Sequence, residues 1–380
     1  MKIISVVGAR PNFMKIAPFT REIEAYNSSH PDALIEHILV HTGQHYDDRM
    51  SKTFFDDLKI PQADINLNIG SGSHAEQVGY TMIEIEKVII KEKPDWIVVL
   101  GDVNATLACS VAAKKLNVKV CHIEAGLRSG DMQMPEEINR LVTDRISDLL
   151  LTPDVLSTKN LEKEGVEDYK IKFVGNIMID TLLSNVEHAK ELKIEDILKT
   201  NQIHPTENVL ELDQFALITL HRPSNVDNKD VLTNLIDFLC TQVTADMPIL
   251  WTVHPRTQKQ LKEFGLLERL TDNPRIVLLH PLRYHEMLRL NIGSTVVLTD
   301  SGGLQEECTV IGTPCLTMRW NTERPITLIE NGGVSALVGN EIPSIQAEYK
   351  KIINQVKKPV FPELWDGNTA KRCLEAIINY

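Results

Sequence analysis

The sequence contains no apolar run approaching the roughly 20 residues that a membrane-spanning helix needs. It also has no basic surplus: the formal net charge is -12. That argues against a nucleic-acid or anionic-membrane surface, both of which want a basic patch. An anionic ligand stays open, provided its basic partners are few and local. The opening Met1-Lys2-Ile3-Ile4-Ser5-Val6-Val7-Gly8 is too short and too soon broken for a signal peptide and reads as a first core strand. Cys109, Cys121, Cys240, Cys308, Cys315 and Cys373 show no Cys-x-x-Cys spacing, and several sit among apolar residues. The expectation is therefore buried thiols in a reducing cytoplasm, with no disulfide framework and no metal site. What remains is 380 residues, 43% hydrophobic and 24% charged, enough for two globular domains of ordinary size.

The first half alternates short apolar strands with longer helical patterns, which predicts a parallel sheet covered on both faces. Residues 3–7, 35–40, 96–100, 119–123, 149–151 and 172–174 read as its strands. Arg10 and Lys15 follow the first strand, where open α/β sheets bind ligands. A cation in the first turn of a helix opposes the helix dipole and is tolerable if an anion comes between. His41-Thr42-Gly43-Gln44-His45-Tyr46-Asp47 has no trusted metal spacing and reads as a polar loop. Asp102 and Glu124 follow buried strands at equivalent places. Pro135-Glu136-Glu137 opens a helix, where carboxylates suit the dipole.

Residues 176–190 read as a helix and 191–213 as a polar linker, after which the pattern restarts. Strands at 215–220, 249–253 and 276–279 end in His221-Arg222, His254-Pro255 and His280-Pro281. His221 ranks first among these because Arg222 beside it suits a phosphate. The stretch Leu298-Thr299-Asp300-Ser301-Gly302-Gly303-Leu304-Gln305-Glu306-Glu307 runs from a strand into a helix, with residues 299–303 expected as the turn. Glycines let the backbone approach a ligand, and the free amides of a helix's first turn favour an anion. Ser301 adds a hydroxyl, while Glu306 and Glu307 lie within reach of sugar hydroxyls. A nucleoside diphosphate suits this arrangement. A strand at 315–318 and Thr322-Glu323-Arg324-Pro325 follow, and a last helix after Gly367-Asn368 must cap one of the domains.

These motifs, in this order, resemble the non-hydrolysing UDP-N-acetylglucosamine 2-epimerases. The resemblance rests on Gly8-Ala9-Arg10-Pro11, Gly101-Asp102, His122-Ile123-Glu124-Ala125-Gly126-Leu127-Arg128, Pro135-Glu136-Glu137, His221-Arg222, His254-Pro255, the 299–307 stretch and Thr322-Glu323-Arg324-Pro325. It implies an α/β fold of two Rossmann-like α/β/α domains facing a cleft, GT-B-like, and a homodimer. The expected divisions are 1–175 for the sugar and acid/base carboxylates, 176–213 for helix and linker, 214–358 for UDP, and a C-terminal helix in 359–380 crossing back to the first domain. By resemblance Asp102, Glu124 and Glu136 are the acid/base candidates, and His221 assists near the phosphates. Arg10 and Lys15 bind the diphosphate with Ser301, Gly302 and Gly303. Glu307 binds ribose, Arg324 contacts the sugar or its phosphate, and the Leu282 to Met287 segment meets uracil through its backbone. The implied chemistry expels UDP from C-1 to give a 2-acetamidoglucal, then re-adds it with a proton delivered to the other face of C-2. That route needs no nicotinamide and no metal.

Two departures stand out. Many bacterial members read His-Arg-Arg-Glu where this chain has His221-Arg222-Pro223-Ser224, and the Gln44-His45 to Met50 spacing is longer than theirs. Those regions line a regulatory second site in bacterial members. The spacing also resembles a branch acting on UDP-2,3-diacetamido-2,3-dideoxyglucuronate, whereas Thr322-Glu323-Arg324-Pro325 points to the N-acetylglucosamine branch. A hydrolysing epimerase, a GT-B glycosyltransferase and a silent UDP-sugar sensor are the further alternatives. A transferase needs one essential base and a sensor none, so three converging carboxylates favour the epimerase.

Overall fold

The structure is a computed structural model that describes residues 1–8, 10–43, 58, 60–204 and 211–380, with the side chains of Arg10 and Pro11 left aside. The chain divides into two compact units, Met1–Ser184 with Pro362–Tyr380, and Asn185–Phe361. Each is built on one parallel sheet with helices.

Among the described residues the first sheet has seven strands: β1 (Lys2–Val7), β2 (Glu36–His41), β3 (Ile65–Asn66), β4 (Trp96–Leu100), β5 (Lys119–Ile123), β6 (Leu149–Thr152) and β7 (Ile171–Phe173). Their order is β3-β2-β1-β4-β5-β6-β7. The sequence reads away from β1 in both directions, so the topological switch point lies between β1 and β4. Ligands of open α/β sheets bind outside the carboxyl ends of the strands at that point. Strand β4 is buried along its whole length, which explains its unbroken apolar run. Leu100 pairs with Ile123, so Gly101-Asp102 and Glu124 leave neighbouring strands at the same level.

The second sheet has six: β8 (Ala216–Thr219), β9 (Ile249–Thr252), β10 (Ile276–Leu279), β11 (Val296–Thr299), β12 (Cys315–Thr317) and β13 (Ser335–Leu337), in the order β10-β9-β8-β11-β12-β13. Its switch point falls between β8 and β11. Thr219 pairs with Thr299, which brings His221 and Asp300 out of the sheet side by side.

The C-terminal helix Thr369–Ile378 belongs to the first unit. Asp180 accepts from the amides of Thr369 and Ala370 at 3.1 and 2.7 Å, and the Trp365 indole donates to the Pro153 carbonyl at 2.9 Å. Cys373, Leu374 and Ile377 bury its apolar face.

Several elements differ from the sequence reading. The stretch expected as linker contains the helix Ile194–Asn201, whose Ile194, Ile197 and Leu198 pack with Phe215 and Leu217 in the second core. Strands β3 and β13 are too short to show as apolar runs. The turn expected at 299–303 is confined to Asp300 and Ser301. Gly302 already opens the helix Gly302–Ile311, and neither it nor Gly303 has positive φ. All six cysteines are free thiols. Among the described residues no helix is long and apolar enough to cross a membrane.

Candidate active-site edges of the two sheets

At the carboxyl edge of the first sheet, Glu124 is the least ordinary residue. It has a side chain, yet its φ is +71°, a left-handed conformation that costs about 1–3 kcal/mol unless its surroundings impose it. Its carboxylate is buried. One oxygen pairs with the buried Lys15 ammonium, while Oε1 finds no hydrogen-bond partner among the described residues. The anion required beside Lys15 is thus supplied by the chain itself. Gly101, at φ +63°, makes room for this pair: a Cβ there would stand 2.8 Å from Lys15 Nζ and 3.4 Å from Glu124 Oε2.

Asp102 is half-buried, and its Oδ2 accepts from Arg140 Nη1 at 2.5 Å. The same guanidinium donates through Nε and Nη2 to Glu137 Oε2, at 2.9 and 2.5 Å. Asn139 secures the backbone by donating to the Asp102 carbonyl at 2.8 Å. The neighbouring glutamates Glu136 and Glu137 therefore separate by role. Glu137 is buried and accepts from the amides of Ser129 and Gly130. Burial pushes its carboxyl up, but those amides and Arg140 outweigh it and hold it below the usual range. Glu136 lies partly exposed in the first turn of the helix Pro135–Ile146, one turn before Arg140 and on the same face. The edge therefore carries two carboxylates with cations behind them and a third with access to solvent.

At the carboxyl edge of the second sheet, His221 Nδ1 lies 2.7 Å from Asp300 Oδ1. Asp300 is completely buried and also accepts from the amides of His221 and Arg222 and from Asn225 Nδ2. Burial raises this carboxyl, yet His221 and the donated bonds outweigh it and keep it ionised. With Nδ1 directed at Asp300, Nε2 is the ring nitrogen left for a ligand. Asp300 thus joins the site as the group that orients His221. It lay within the recognised stretch, but only the pairing of β8 with β11 reveals its partner. His254 caps the helix Pro255–Glu263, with its ring centroid 5.6 Å from that of His221.

Ser301 precedes the helix Gly302–Ile311 without spending its hydroxyl on the cap. The amides of that helix's first turn have no intrahelical acceptor, and such an end suits an anion. Gly302 is needed for closeness, not for turning: a Cβ there would lie 2.6 Å from Glu323 Oε1 and 2.7 Å from Arg324 Nη1. Arg324 is buried, with Nε 2.9 Å from Glu306 Oε1 and Nη1 on Glu323 Oε1; Arg319 Nη2 reaches Glu323 Oε2 at 2.6 Å. Two guanidinium groups meet two carboxylates, and the arginines hold Glu323 well below the usual range against the opposing effect of burial. Glu307 lies deeper in the helix, and burial together with Glu306 pushes its carboxyl up to about 8, with the nearby polar side chains of Tyr284 and Asn291 acting in the other direction. Leu282 and Met287 put their side chains into the apolar cluster around Val277, Leu279 and Leu290. The side chains of Leu282 and Met287 are thereby withdrawn from a ligand, which leaves their backbone to meet one.

Arg10's side chain and the stretch from Gln44 to Met50 lie outside the described residues. His41, at the edge of that loop, accepts from the Gly43 amide at 2.9 Å and stacks on Phe13 at 5.3 Å. Among the described residues no group of three or more His, Cys, Asp or Glu is placed to hold a metal ion.

Comparison with known proteins gives this arrangement a context. Residues 28–378 match the family model described as UDP-N-acetylglucosamine 2-epimerase. A UDP-N-acetylglucosamine 2-epimerase of Methanocaldococcus jannaschii is 43% identical over 342 residues, covering 90% of this chain and 89% of its own. A UDP-2,3-diacetamido-2,3-dideoxy-D-glucuronate 2-epimerase of Pseudomonas aeruginosa is 41% identical over 325 residues, covering 85% and 84%. The crystal structure of a Methanocaldococcus jannaschii UDP-GlcNAc 2-epimerase in complex with UDP-GlcNAc and UDP superposes with a TM-score of 0.88 at 39% identity, covering all of both chains. With a family match over nearly the whole chain and relatives this similar along their own lengths, the chain belongs to the UDP-N-acetylglucosamine 2-epimerase family.

Proposed function

We propose that the chain interconverts UDP-N-acetylglucosamine and UDP-N-acetylmannosamine by eliminating and re-adding UDP. The observation that carries the reading is the first sheet's edge, where Asp102 and Glu124 leave adjacent strands at one level, each backed by a buried cation. The C-2 hydrogen of the sugar is a poor acid. Its removal becomes feasible when the electrons released at C-2 form the C-1 to C-2 double bond while the C-1 to oxygen bond breaks and UDP departs. A carboxylate takes the proton, and a second protonated carboxyl returns one to the opposite face as UDP re-adds. Asp102, Glu124 and Glu136 are the groups proposed for this exchange.

The leaving diphosphate gathers negative charge as the bond breaks and needs donors already in place. The proposed donors are the first-turn amides of Gly302 and Gly303, the Ser301 hydroxyl, His221 through Nε2, and the side chains of Arg10 and Lys15. Lys15 has three N–H donors, and Glu124 occupies one side of the ammonium. Glu307 is proposed for ribose, the backbone from Leu282 to Met287 for uracil, and Arg324 for the sugar or its phosphate. The reading includes a cytoplasmic homodimer.

The relative acting on a diacetamido-glucuronate makes that substrate the second reading. A uronate adds a carboxylate that wants a cation. The relative named UDP-N-acetylglucosamine 2-epimerase is the more similar of the two and covers more of this chain, 43% identity over 90% against 41% over 85%, which puts the neutral hexose first. The test is to offer the purified protein each nucleotide sugar in turn and identify products by proton NMR. Formation of UDP-N-acetylmannosamine from UDP-N-acetylglucosamine supports the proposal. Turnover of the uronate alone, or release of free sugar and UDP as the sole products, overturns it.

A further inference from the structure

We propose that His122 is a positioning residue for the elimination chemistry: its buried ring donates at both nitrogens and clamps together the backbone bends that carry Asp102 and Glu124. The inference rests on the acid/base reading above and adds a residue that does not touch the sugar.

His122 is in β5, two residues before Glu124, and its ring is completely buried. Nε2 lies 2.7 Å from the carbonyl oxygen of Gly101, the residue immediately before Asp102. A carbonyl can only accept, so Nε2 donates. Nδ1 lies 2.6 Å from Asp144 Oδ1. The other oxygen of this carboxylate accepts from the Gly126 amide and from the Arg128 guanidinium, so Asp144 is an acceptor throughout and takes the Nδ1 hydrogen as well. A ring that donates in both directions carries two protons and a positive charge. Asp144 then extends the clamp. Its Oδ2 accepts from the Gly126 amide at 3.0 Å and from Arg128 Nη1 at 2.7 Å, and Arg128 is anchored in turn by Glu164.

The residues held in this way are the bent ones. Gly101, Glu124 and Gly126 have φ values of +63°, +71° and +83°. A side-chain-bearing residue such as Glu124 relaxes out of that region unless its neighbours over-determine it. His122 fixes the carbonyl on the Asp102 side, and Asp144 fixes the amide on the far side of Glu124. The two carboxylates therefore keep a set spacing through one imidazole and one carboxylate. A buried ion pair is an expensive way to hold two loops together. Its particular gain is directional: opposed donors at a fixed separation, which no aliphatic core residue and no neutral ring provides.

The test uses the full chain with His122→Gln, which keeps a donor but cannot donate in opposite directions, and Asp144→Asn, which keeps the shape and loses the charge. Each is measured for kcat and KM with UDP-N-acetylglucosamine, for UDP affinity and for thermal unfolding. The expected result is a fall in kcat of about 100-fold, the size of loss that a misplacement near 1 Å brings, with UDP affinity and KM within about threefold. In a Glu124→Gln background, followed by slow C-2 deuterium exchange, His122→Gln should add less than about threefold, because the clamp acts through that carboxylate. A kcat within about threefold of the parent in both folded variants, or a full multiplicative loss in the Glu124→Gln background, overturns the proposal. Nitrogen-15 NMR of the unsubstituted protein decides the matter even if the variants fail to fold. Two protonated, exchange-protected ring nitrogens on His122 support the clamp, and one bare nitrogen refutes it. Absence of epimerisation by the unsubstituted protein counts against the functional reading instead and leaves the NMR result to judge the clamp.

Discussion

Replacing Glu307 by glutamine should stabilise the protein in mild alkali and weaken its hold on UDP. Glu307 is 6% exposed, and burial followed by the neighbouring Glu306 pushes its carboxyl up to about 8. The unfolded chain releases the same proton near 4.5. Between those values the folded state holds a proton that the unfolded state has lost. The stability linked to this group is therefore complete below pH 4.5, falls as pH rises, and levels off above pH 8. At about 1.4 kcal/mol per pH unit, the loss reaches about 3 kcal/mol at pH 7 and about 5 kcal/mol above pH 8. Glutamine has the same outline and no proton to lose, so the variant lacks this slope. For a domain of this size each kcal/mol moves the melting temperature by about 2–4 °C. The variant and the parent should melt together near pH 5, and the variant should melt about 10 °C or more higher at pH 8.5. UDP affinity should fall by about fivefold if the carboxyl receives ribose hydroxyls, since a hydrogen bond to a neutral group contributes about 1 kcal/mol. Calorimetry from pH 5 to pH 9, with UDP titrations alongside, measures both effects. A melting difference that does not change with pH would refute the assignment of a raised carboxyl at this position.

Asp102→Asn, Glu124→Gln and Glu136→Gln should each lower turnover about 100-fold or more while UDP still binds, and near-normal turnover in all three would reject their acid/base role. Gly302→Val should weaken UDP binding in a folded protein, because its Cβ would stand 2.6 Å from Glu323 Oε1 at the helix end; calorimetric titration with UDP is the check. Lys15→Met should destabilise the fold by about 3–5 kcal/mol, since it strands a buried carboxylate, and Lys15→Met with Glu124→Gln should recover most of that loss in thermal melts. Pro223, with neither charge nor N–H, opens the helix Pro223–Val226 where bacterial relatives carry arginine. The reverse reaction from UDP-N-acetylmannosamine alone should therefore start without a lag, and the forward rate should follow a hyperbola in substrate concentration; a lag abolished by a trace of UDP-N-acetylglucosamine would contradict this.

The alternation of strand and helix was legible because a parallel sheet covered on both faces demands unbroken apolar strands, as in Trp96–Leu100. Strand β3, Ile65–Asn66, offers two residues and no pattern, and Ser335–Leu337 carries a fully buried serine in place of an apolar run. The helix Ile194–Asn201 was hidden in a stretch whose polar residues outnumber the apolar face it buries. The candidate site was legible as residue types at strand ends, but the pairing of charges was not. Lys15 and Glu124 stand 109 positions apart, and the His221 amide reaches Asp300 across 79. Strand order alone brings such groups together. The split between Glu136 and Glu137 was equally invisible, because both suit a helix's first turn and only the Ser129–Gly130 backbone decides which is buried.

The most direct measurement of the central claim is the fate of the C-2 hydrogen. The protein is incubated with UDP-N-acetylglucosamine in heavy water and the mixture is followed by proton NMR. Elimination and re-addition predict UDP-N-acetylmannosamine carrying deuterium at C-2, with the same label appearing in recovered UDP-N-acetylglucosamine as the two approach equilibrium. Epimerisation that retains the original hydrogen at C-2 would contradict the account.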